Sequence, residues 1–389
     1  FIPKKRHDYQ KKVAVVGSGP AGMSCAYYLA LDGYRVTVFE KLDRPGGMLT
    51  MGIPGFRLEK AVVEAEIEVL RQLGVEFRTG VEVGRDVTIQ ALREQDYRAF
   101  YLAVGAQGGR KLNIPGEDAQ CVAAGVDFLR EVNRGAIPPM AGRTVVIGGG
   151  NVAIDVARAA VRTDSGQVDL YCLERREEMP ALPEEIQEAE QERIGIHNGY
   201  GPKEILVKDG RAVGVVFKKC VRVFDGEGRF APQFDEDDTI TVEADHVLLS
   251  VGQSIQWGGL LEGTAVAVRP NGTAGADPLT YQTAEPDIFV GGDAYTGPKF
   301  AIDAIAAGKE AAISIHRFVQ PGQSLTLGRD RRQYHSFDKD NVVLESFDRT
   351  PRQRAGHSAP KGGAFGDPRL TFTEEQMKRE TQRCLGCGA

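Results

Sequence analysis

The chain has 389 residues, 42% of them hydrophobic and 26% charged, which is typical of a globular protein long enough for two or three domains. With 48 Lys and Arg against 54 Asp and Glu its net charge is −6, so the composition provides no basic surface for nucleic acid or an anionic membrane. Charged residues interrupt the longest apolar stretch, 300–315, and we expect no membrane span. The few, mostly isolated cysteines favour a reducing compartment, and we expect a cytoplasmic protein.

The start of the chain predicts a unit of strand, turn, helix and strand that binds a dinucleotide. Its segments are a strand at 12–16, a helix at 21–32 and a strand at 36–39. In the turn, Gly17 permits a tight bend, Gly19 lets the backbone approach a pyrophosphate, and Gly22 lets the helix pack closely on the strand. Glu40 ends the second strand, where its carboxylate can accept hydrogen bonds from ribose hydroxyls.

A second unit of the same kind follows in the middle of the chain. Its segments are a strand at 144–147, a helix at 151–161 and a strand at 168–172. Gly148, Gly149 and Gly150 form the turn, and Ala153 takes the place of the third glycine, which this fingerprint allows. Two such units predict two dinucleotides brought face to face, and the expected pair is a flavin and a nicotinamide nucleotide.

The rest of the chain predicts a hairpin, further single elements and a long arm. Strands at 214–223 and 239–243 form the hairpin, with the acidic residues 235–238 at its solvated tip. The single elements are strands at 246–251 and 287–290 and helices at 300–318 and 373–382. Thr373, with a glutamine three residues later, is the predicted N-cap of the last helix. Residues 320–370 have little periodicity, and we expect an arm lying on a partner or on the protein's own surface.

Several longer motifs occur in a fixed order between and around the two units. They are Arg-Pro-Gly-Gly-Met-Leu at 44–49, Gly-Ile-Pro-Gly-Phe-Arg-Leu at 52–58, Tyr-Leu-Ala-Val-Gly-Ala at 101–106, Ile-Pro-Gly-Glu-Asp at 114–118, Glu-Met-Pro-Ala at 178–181 and Gly-Gly-Asp at 291–293. With these motifs, residues 11–318 resemble the small (beta) subunit of glutamate synthase and its NAD(P)H:flavin oxidoreductase relatives. The segment at 52–58 is the most specific of them.

The resemblance implies an α/β fold of two doubly wound, Rossmann-like domains, with the NAD(P)-binding domain inserted into the FAD-binding domain. It divides the chain into an FAD domain at 1–110 and 250–319, an NAD(P) domain at 111–249 and an extended C-terminal arm at 320–389. The segments at 103–106 and 249–252 would be the two connections between the domains. No catalytic side chain is expected, because hydride transfer to flavin needs no general base.

The resemblance also implies which residues hold the cofactors. The first glycine turn and Glu40 would bind the adenosine and pyrophosphate of FAD, and Asp293 would accept a hydrogen bond from the ribityl chain, unless it only starts a helix. The helix beginning near Ala301 would point its N-terminus at the flavin N1/O2 edge and favour negative charge on the reduced flavin. Further implied cofactor contacts are Pro20, Ala21, Lys41, Gly47, Met48, Leu49, Ile53, Pro54, Arg57, Val83, Ala103, Gly105, Asn151, Val152, Asp155, Gly252, Gly292 and Ile302.

One departure from the family pattern concerns the choice of nicotinamide nucleotide. The common pattern has a pair of arginines that grip a 2′-phosphate at the positions of Leu173 and Glu174. A carboxylate there would repel that phosphate and could bond a free 2′-hydroxyl, which favours NAD(H). Arg175 and Arg176 follow at once, and a shift of the loop could place them on a phosphate, so NADP(H) stays the alternative.

The other departure concerns iron–sulfur ligands. Relatives carry cluster cysteines before the FAD unit, and none precedes Gly17 in this chain. Cys384 and Cys387 instead form a Cys-x-x-Cys pair that resembles such cluster segments. A cluster generally needs four thiolates, so we predict one completed by residues outside this chain. A zinc site completed in the same way, or a free or disulfide-forming pair, are the alternatives.

Together these features predict a flavoprotein subunit that transfers hydride between NAD(P)H and FAD. Cys25 and Cys172 each stand alone, which argues against thiol–disulfide exchange at the flavin. Electrons would pass to or from an iron–sulfur subunit or a ferredoxin, and we expect a hetero-oligomer. The alternatives are a glutamate synthase small subunit and, from a different class, a non-catalytic FAD-binding scaffold.

Overall fold

The computed structural model describes residues 2–329, 338, 341, 348, 350–358 and 365–384. Its first elements are β1 (Lys12–Val16), α1 (Pro20–Asp32), β2 (Arg35–Glu40), α2 (Met48–Met51), α3 (Lys60–Gln72), β3 (Glu76–Thr79), α4 (Ile89–Glu94), β4 (Tyr97–Leu102) and β5 (Gly108–Gly109). Then follow β6 (Val122–Ala124), α5 (Gly125–Arg134), β7 (Arg143–Ile147), α6 (Asn151–Val161), β8 (Gln167–Cys172), a 3-10 turn (Arg176–Glu178), α7 (Pro183–Gln191), β9 (Gly195–Asn198), β10 (Tyr200–Lys208), β11 (Arg211–Phe224), β12 (Phe230–Glu243) and β13 (His246–Leu249). The last elements are β14 (Gln253–Ser254), β15 (Ile288–Val290), α8 (Asp293–Thr296), α9 (Ala301–Val319) and α10 (Glu374–Gln382).

Two five-stranded sheets organise these elements. The first has the order β15-β4-β1-β2-β3 and the second β6-β13-β7-β8-β9, and neighbouring strands in both are parallel. β15 follows all strands of the second sheet in the chain but pairs in the first sheet. The second sheet is therefore inserted within the domain of the first, and the predicted fold class is confirmed. The connecting strands β5 and β14 pair antiparallel. We propose that this link divides the domains, near residues 110 and 250.

The first sheet is covered on both faces, as its parallel strands require. Alternate residues of β1 enter two different core clusters. Val13 and Val15 pack with α1, α3 and α9. Ala14 and Val16 pack with α4 on the opposite face. None of the described helices is long and apolar enough to cross a membrane.

Glycines set the end of α1 and its distance from α9. Gly33 has a φ of 105°, and its amide bonds the carbonyls of Leu29 and Ala30, which ends α1. On α9, a β-carbon at Gly308 would overlap the carbonyl oxygen of Ala21 and lie 2.9 Å from the amide nitrogen of Cys25. The two helices therefore reach their close contact because Gly308 has no side chain.

The hairpin differs from its prediction. β11 and β12 are each 14 residues long, and the turn spans 225–229, where the Asp225 carboxylate accepts the backbone amides of Glu227 and Arg229. The acidic residues 235–238 lie within β12, where a register shift produces a bulge whose backbone amides bond the carboxylate of Asp235. The acidic run is exposed as expected, but its predicted position at the tip was wrong.

The described part of the arm lies on the protein's own surface. The side chain of Phe365 packs against the core cluster around α6, and the guanidinium of Arg354 donates to the side chain of Gln187 on α7 at 2.8 Å. α10 begins after Thr373, whose hydroxyl accepts the amide of Gln376 while the Gln376 side chain accepts the amide of Thr373. The predicted capping of this helix is confirmed.

Replacing Gly308 by alanine tests the close contact between α1 and α9. Because the new β-carbon would meet backbone atoms, the helices must separate, and we expect the free energy of unfolding to fall by about 1–3 kcal/mol in urea denaturation. Gly226→Ala is the control, since no atom lies within 4 Å of its added β-carbon. Equal stability of the two variants would contradict this account.

Candidate dinucleotide sites

Two glycines in the turn between β1 and α1, Gly17 and Gly22, occupy positions that exclude side chains. Gly17 has a φ of 101°, and a β-carbon there would overlap the carbonyl oxygen of Ala103. A β-carbon on Gly22 would overlap the carbonyl oxygen of Gly17 itself. Gly19 is the N-cap of α1, and a β-carbon on it would meet no atom within 4 Å. The N-terminus of α1 is thus open where a pyrophosphate can accept hydrogen bonds from its amides.

Two segments that are distant in sequence close around this turn. A β-carbon on Gly47 would lie 2.8 Å from Cα of Gly19, and one on Gly292 would lie 2.9 Å from Cβ of Ala21. Gly47 and Gly292 also have positive φ values of 55° and 61°. The structure therefore brings both residues to the turn with which the sequence associated them.

Glu40 is buried beside the turn and held by three hydrogen bonds. Its Oε2 accepts the amide of Ser18 at 3.0 Å and the Ser18 hydroxyl at 2.6 Å, and its Oε1 accepts the amide of Leu42 at 2.9 Å. The Ser18 hydroxyl also accepts the amide of Gly46 at 3.0 Å. This role of Ser18 was not predicted, because its only signal in the sequence is a hydroxyl inside the Gly-x-Gly turn. Oε1 keeps a lone pair for a further donor.

A small cleft lies beside Glu40. Lys41, Val83, Val104 and Trp257 line it. The indole N–H of Trp257 donates to the carbonyl of Gly272 at 2.9 Å, which fixes the orientation of the ring. Lys41 and Val83 are predicted cofactor contacts, and Trp257 is not. Trp257 reaches this cleft only because the chain re-enters the first domain after the second sheet.

The second glycine turn repeats the first. Gly148 has a φ of 142°, and a β-carbon there would overlap the carbonyl oxygen of Ser250. Gly150 is the N-cap of α6 and is open, and Ala153 is buried in the position of the third glycine. Each turn thus presents an open helix N-terminus and is pressed against a carbonyl from a connection between the domains.

A cavity of about 650 Å³ opens at the second turn. Its lining includes the turn with Asn151 and Val152, the connection at 250–253, which contains Gly252, and Glu174. Pro298, just before α9, also lines it, so the cavity reaches the first domain. A nucleotide bound here would lie between the two domains.

The loop at 173–176, where the sequence predicts the choice of nicotinamide nucleotide, is called the specificity loop below. Glu174 is the charged residue that this loop contributes to the cavity. Its Oε2 would lie 2.5 Å from a β-carbon on Gly149, and burial raises the pKa of its carboxyl. Arg175 and Arg176 are exposed and lie outside the cavity lining. The Arg176 guanidinium pairs with the carboxylate of Glu190 at 2.9 Å. Arg110 and Lys111 supply cations at another part of the wall.

Asp293 and the start of α9 lie beyond the strand β15. The Asp293 carboxylate accepts the amide of Lys299 at 3.2 Å, and burial raises the pKa of this group. α9 begins at Ala301, and the side chain of Ile302 is 68% exposed. The order of Gly292, Asp293 and α9 agrees with the prediction, and the contacts with flavin stay a prediction.

Two predicted cofactor contacts, Arg57 and Asp155, bond each other, and their contacts with a cofactor stay a prediction. The Arg57 guanidinium donates to both oxygens of Asp155 at 2.8 and 2.9 Å, and neither residue lines the 650 Å³ cavity. Among the other predicted positions, Pro20 begins α1, Met48 and Leu49 begin α2, Ile53 and Pro54 follow α2, and Ala103 and Gly105 follow β4.

Of the two predicted metal ligands, only Cys384 lies within the described residues. Cys384 is exposed and unpaired, and Cys387 lies outside the described residues. In the part of the chain that the structure covers, no three His, Cys, Asp or Glu side chains are grouped to hold a metal ion. The buried thiols of Cys25 and Cys172 have raised pKa values and stand singly.

Comparisons with known proteins agree with this arrangement. The model of the family "Pyridine nucleotide-disulphide oxidoreductase" matches residues 11–308. The beta subunit of an NADP(+)-dependent formate dehydrogenase from Moorella thermoacetica is 35% identical, over 97% of this chain and 54% of its own length. The small chain of an NADPH glutamate synthase from Escherichia coli is 34% identical, over 80% of this chain and 69% of its own.

The fold of this chain resembles that of a solved structure. FprA from Mycobacterium tuberculosis, in complex with NADPH, superposes with a TM-score of 0.69 at 22% identity, over 79% of this chain and 84% of that chain. The present chain spans about half the length of the formate dehydrogenase subunit.

Proposed function

Because the chain belongs to the pyridine nucleotide-disulphide oxidoreductase family and is similar to glutamate synthase small chains, we propose that it transfers hydride between NAD(P)H and FAD. The observation that carries the proposal is the pair of glycine turns, each with an open helix N-terminus. The cavity at the second turn extends to Pro298 of the first domain, so the two nucleotides can meet. FAD supplies the chemistry, since flavin accepts two electrons together and releases them singly.

In this proposal the first turn holds FAD. The α1 N-terminus receives the pyrophosphate, and Oε1 of Glu40 accepts a ribose hydroxyl with its remaining lone pair. The cleft at Trp257 takes the adenine, and Asp293 accepts a hydroxyl of the ribityl chain. The N-terminus of α9 stabilises negative charge on the flavin, because its first amides are free to donate.

The purified protein should contain one tightly bound FAD per chain. Denaturation should release FAD into the supernatant in a one-to-one ratio to protein, as measured by chromatography and absorbance. Release of FMN alone, or a folded protein without colour, would refute the proposal.

We further propose that NADH is preferred to NADPH. Glu174 follows β8 and lines the cavity, whereas Arg175 and Arg176 are exposed and lie outside the cavity lining. A carboxylate in this position repels a 2′-phosphate and accepts a 2′-hydroxyl. The names of the relatives mention NADP(+) and NADPH, which makes this the sharpest difference that we propose between this chain and those proteins.

Glu174→Gln should weaken that preference. We expect the ratio of flavin reduction efficiency with NADH to that with NADPH to fall about 5- to 150-fold, which corresponds to about 1–3 kcal/mol, because the repulsive charge is removed. Stopped-flow bleaching of the flavin with each nucleotide measures the ratio. Glu177→Gln, an exposed carboxyl in the same loop, is the control. Equal or faster bleaching of the unmodified protein by NADPH would refute the proposed preference for NADH.

We propose that electrons continue to an iron–sulfur partner of a hetero-oligomer. The formate dehydrogenase relative is named as a beta subunit, and the exposed Cys384 follows α10 on the arm. Two thiolates are too few for a cluster, so its other ligands would come from outside this chain. The geometry of the second turn disfavours the alternative of a scaffold that binds FAD without catalysis, since such a protein needs no second nucleotide site.

Replacing Cys384 and Cys387 by serine tests the iron–sulfur assignment. FAD content and reduction of the flavin by NAD(P)H should stay within twofold, because both depend on the glycine turns. The iron content of the assembly, measured by atomic absorption, and the reduction of its acceptor should both fall. Cys121→Ser is the control. If the double variant keeps the iron content and the reduction of the acceptor, the two cysteines are not cluster ligands and the arm has only a structural role.

A further inference from the structure

The hairpin of β11 and β12 reaches the cavity at the second glycine turn. β12 begins at Phe230, and this side chain lines the cavity although it belongs neither to the turn nor to the specificity loop. Leu173 and Glu174 of the specificity loop line the same cavity, and so does Pro298 of the first domain. An aromatic residue from a distant hairpin therefore forms part of the wall of the proposed nucleotide site.

The turn of the hairpin fixes the backbone before Phe230. The Asp225 carboxylate accepts the backbone amides of Glu227 and Arg229 and the side-chain Nε of Arg229, each at 2.9 Å. The amide of Asp225 donates to the carbonyl of Arg229, also at 2.9 Å. Phe230 follows this closed turn directly, so its place at the cavity is set by hydrogen bonds within the hairpin.

The beginning of β12 lies against the specificity loop. A β-carbon on Gly201 of β10 would overlap Cε1 of Phe234 and would lie 2.8 Å from Cδ2 of Leu173. The side chains of Phe234 and Leu173 thus meet at a position of β10 that has no side chain. Because Glu174 follows Leu173 in the chain, this part of the hairpin lies beside the carboxylate that we propose to face the 2′ position.

The ring of Phe230 is largely uncovered by the protein. Phe230 is 64% exposed. Its partner in the strand register is Phe224, and the two rings lie edge to face with centroids 6.3 Å apart and planes inclined at 75°. Such a pair covers at most one face of a ring. A face of the Phe230 ring therefore stays open to a planar ligand, whose contact would remove apolar surface from water.

The two ends of the cavity suit different halves of a dinucleotide. In this type of fold the pyrophosphate lies at the glycine turn, and a carboxylate after the second strand lies at the adenosine ribose. The adenine then belongs on the side of Glu174, and the nicotinamide on the side of Pro298, which comes from the first domain. The hairpin adjoins the Glu174 side through the contact of Phe234 with Leu173.

We propose that Phe230 is a binding residue for the adenine of NAD(P)H, which stacks on the open face of its ring. This inference rests on the proposed function. Stacking on an aromatic ring uses the π-face of the base and does not involve the 2′ substituent of the ribose. Phe230 therefore increases the affinity for NADH and NADPH alike, whereas Glu174 sets the choice between them.

Phe230→Ala removes the stacking ring. We expect the Kd of ADP-ribose, measured by isothermal titration calorimetry on the purified protein, to rise at least about fivefold, as for other bases that lose an aromatic partner. Phe230→Tyr retains the ring, and its Kd should stay within about threefold of that of the unmodified protein. An unchanged Kd in Phe230→Ala, or an equal loss in Phe230→Tyr, would overturn the inference.

Reduced nicotinamide mononucleotide shows which end of the nucleotide Phe230 contacts, because it has no adenine. In Phe230→Ala, the efficiency of flavin reduction by NADH relative to that by the mononucleotide should fall at least about fivefold. The efficiencies with NADH and NADPH should fall by the same factor. If the mononucleotide loses as much as NADH, Phe230 lies at the nicotinamide and the inference is wrong.

Val221→Ala is the matched control. Val221 is 54% exposed on the same hairpin and is not among the residues that line the cavity. Its replacement should leave the Kd of ADP-ribose within about twofold. A rise equal to that of Phe230→Ala would show that any change to the hairpin weakens binding, which contradicts a specific contact with Phe230.

Calorimetry also separates this inference from the proposed function, since ADP-ribose transfers no hydride. If ADP-ribose binds and Phe230→Ala weakens it, in a protein whose flavin NAD(P)H does not reduce, the adenine contact holds and hydride transfer is refuted. Binding that is independent of Phe230, in a protein that NAD(P)H does reduce, overturns this inference alone. Failure of the unmodified protein to bind ADP-ribose would overturn both.

Discussion

The close contact between each glycine turn and a carbonyl of an inter-domain connection is the constraint on which the two sites depend. Gly17 is pressed against the carbonyl of Ala103, and Gly148 against that of Ser250. These carbonyls immediately follow β4 and β13, the neighbours of β1 and β7 in the sheets. The two connections continue into β5 and β14, which pair with each other. Each turn, its neighbouring strand and the inter-domain link are therefore fixed as one unit.

A second link between the domains relies on buried charge rather than on backbone contact. Apolar side chains of similar size could stabilise the junction as well, because burying an ion pair has a large desolvation cost. They would not fix its orientation, since apolar contacts have no direction. Phe56 supplies the apolar contact and Arg57 the directional one.

The glycine turns and capping residues could be predicted from sequence because each obeys a local rule. Thr373 and the first turn follow such rules and were found. Trp257 and the pairing of Arg57 with Asp155 depend on contacts between distant segments, which no local pattern encodes. The acidic residues 235–238 resembled a loop because β12 is an edge strand, where exposed charges discourage pairing with other chains.

The specificity loop after β8 is fixed by its backbone, which bears on nucleotide choice. The carbonyl of Glu174 accepts hydrogen bonds from the side-chain amide of Asn198 and the amide of Gly199, both at 3.1 Å. The amide of Arg175 bonds the carboxylate of Glu178 at 3.3 Å. A loop shift that placed an arginine on a 2′-phosphate would break these bonds at the ends of β8 and β9. The carboxylate of Glu174 is thus the charged group that this loop places in the cavity wall.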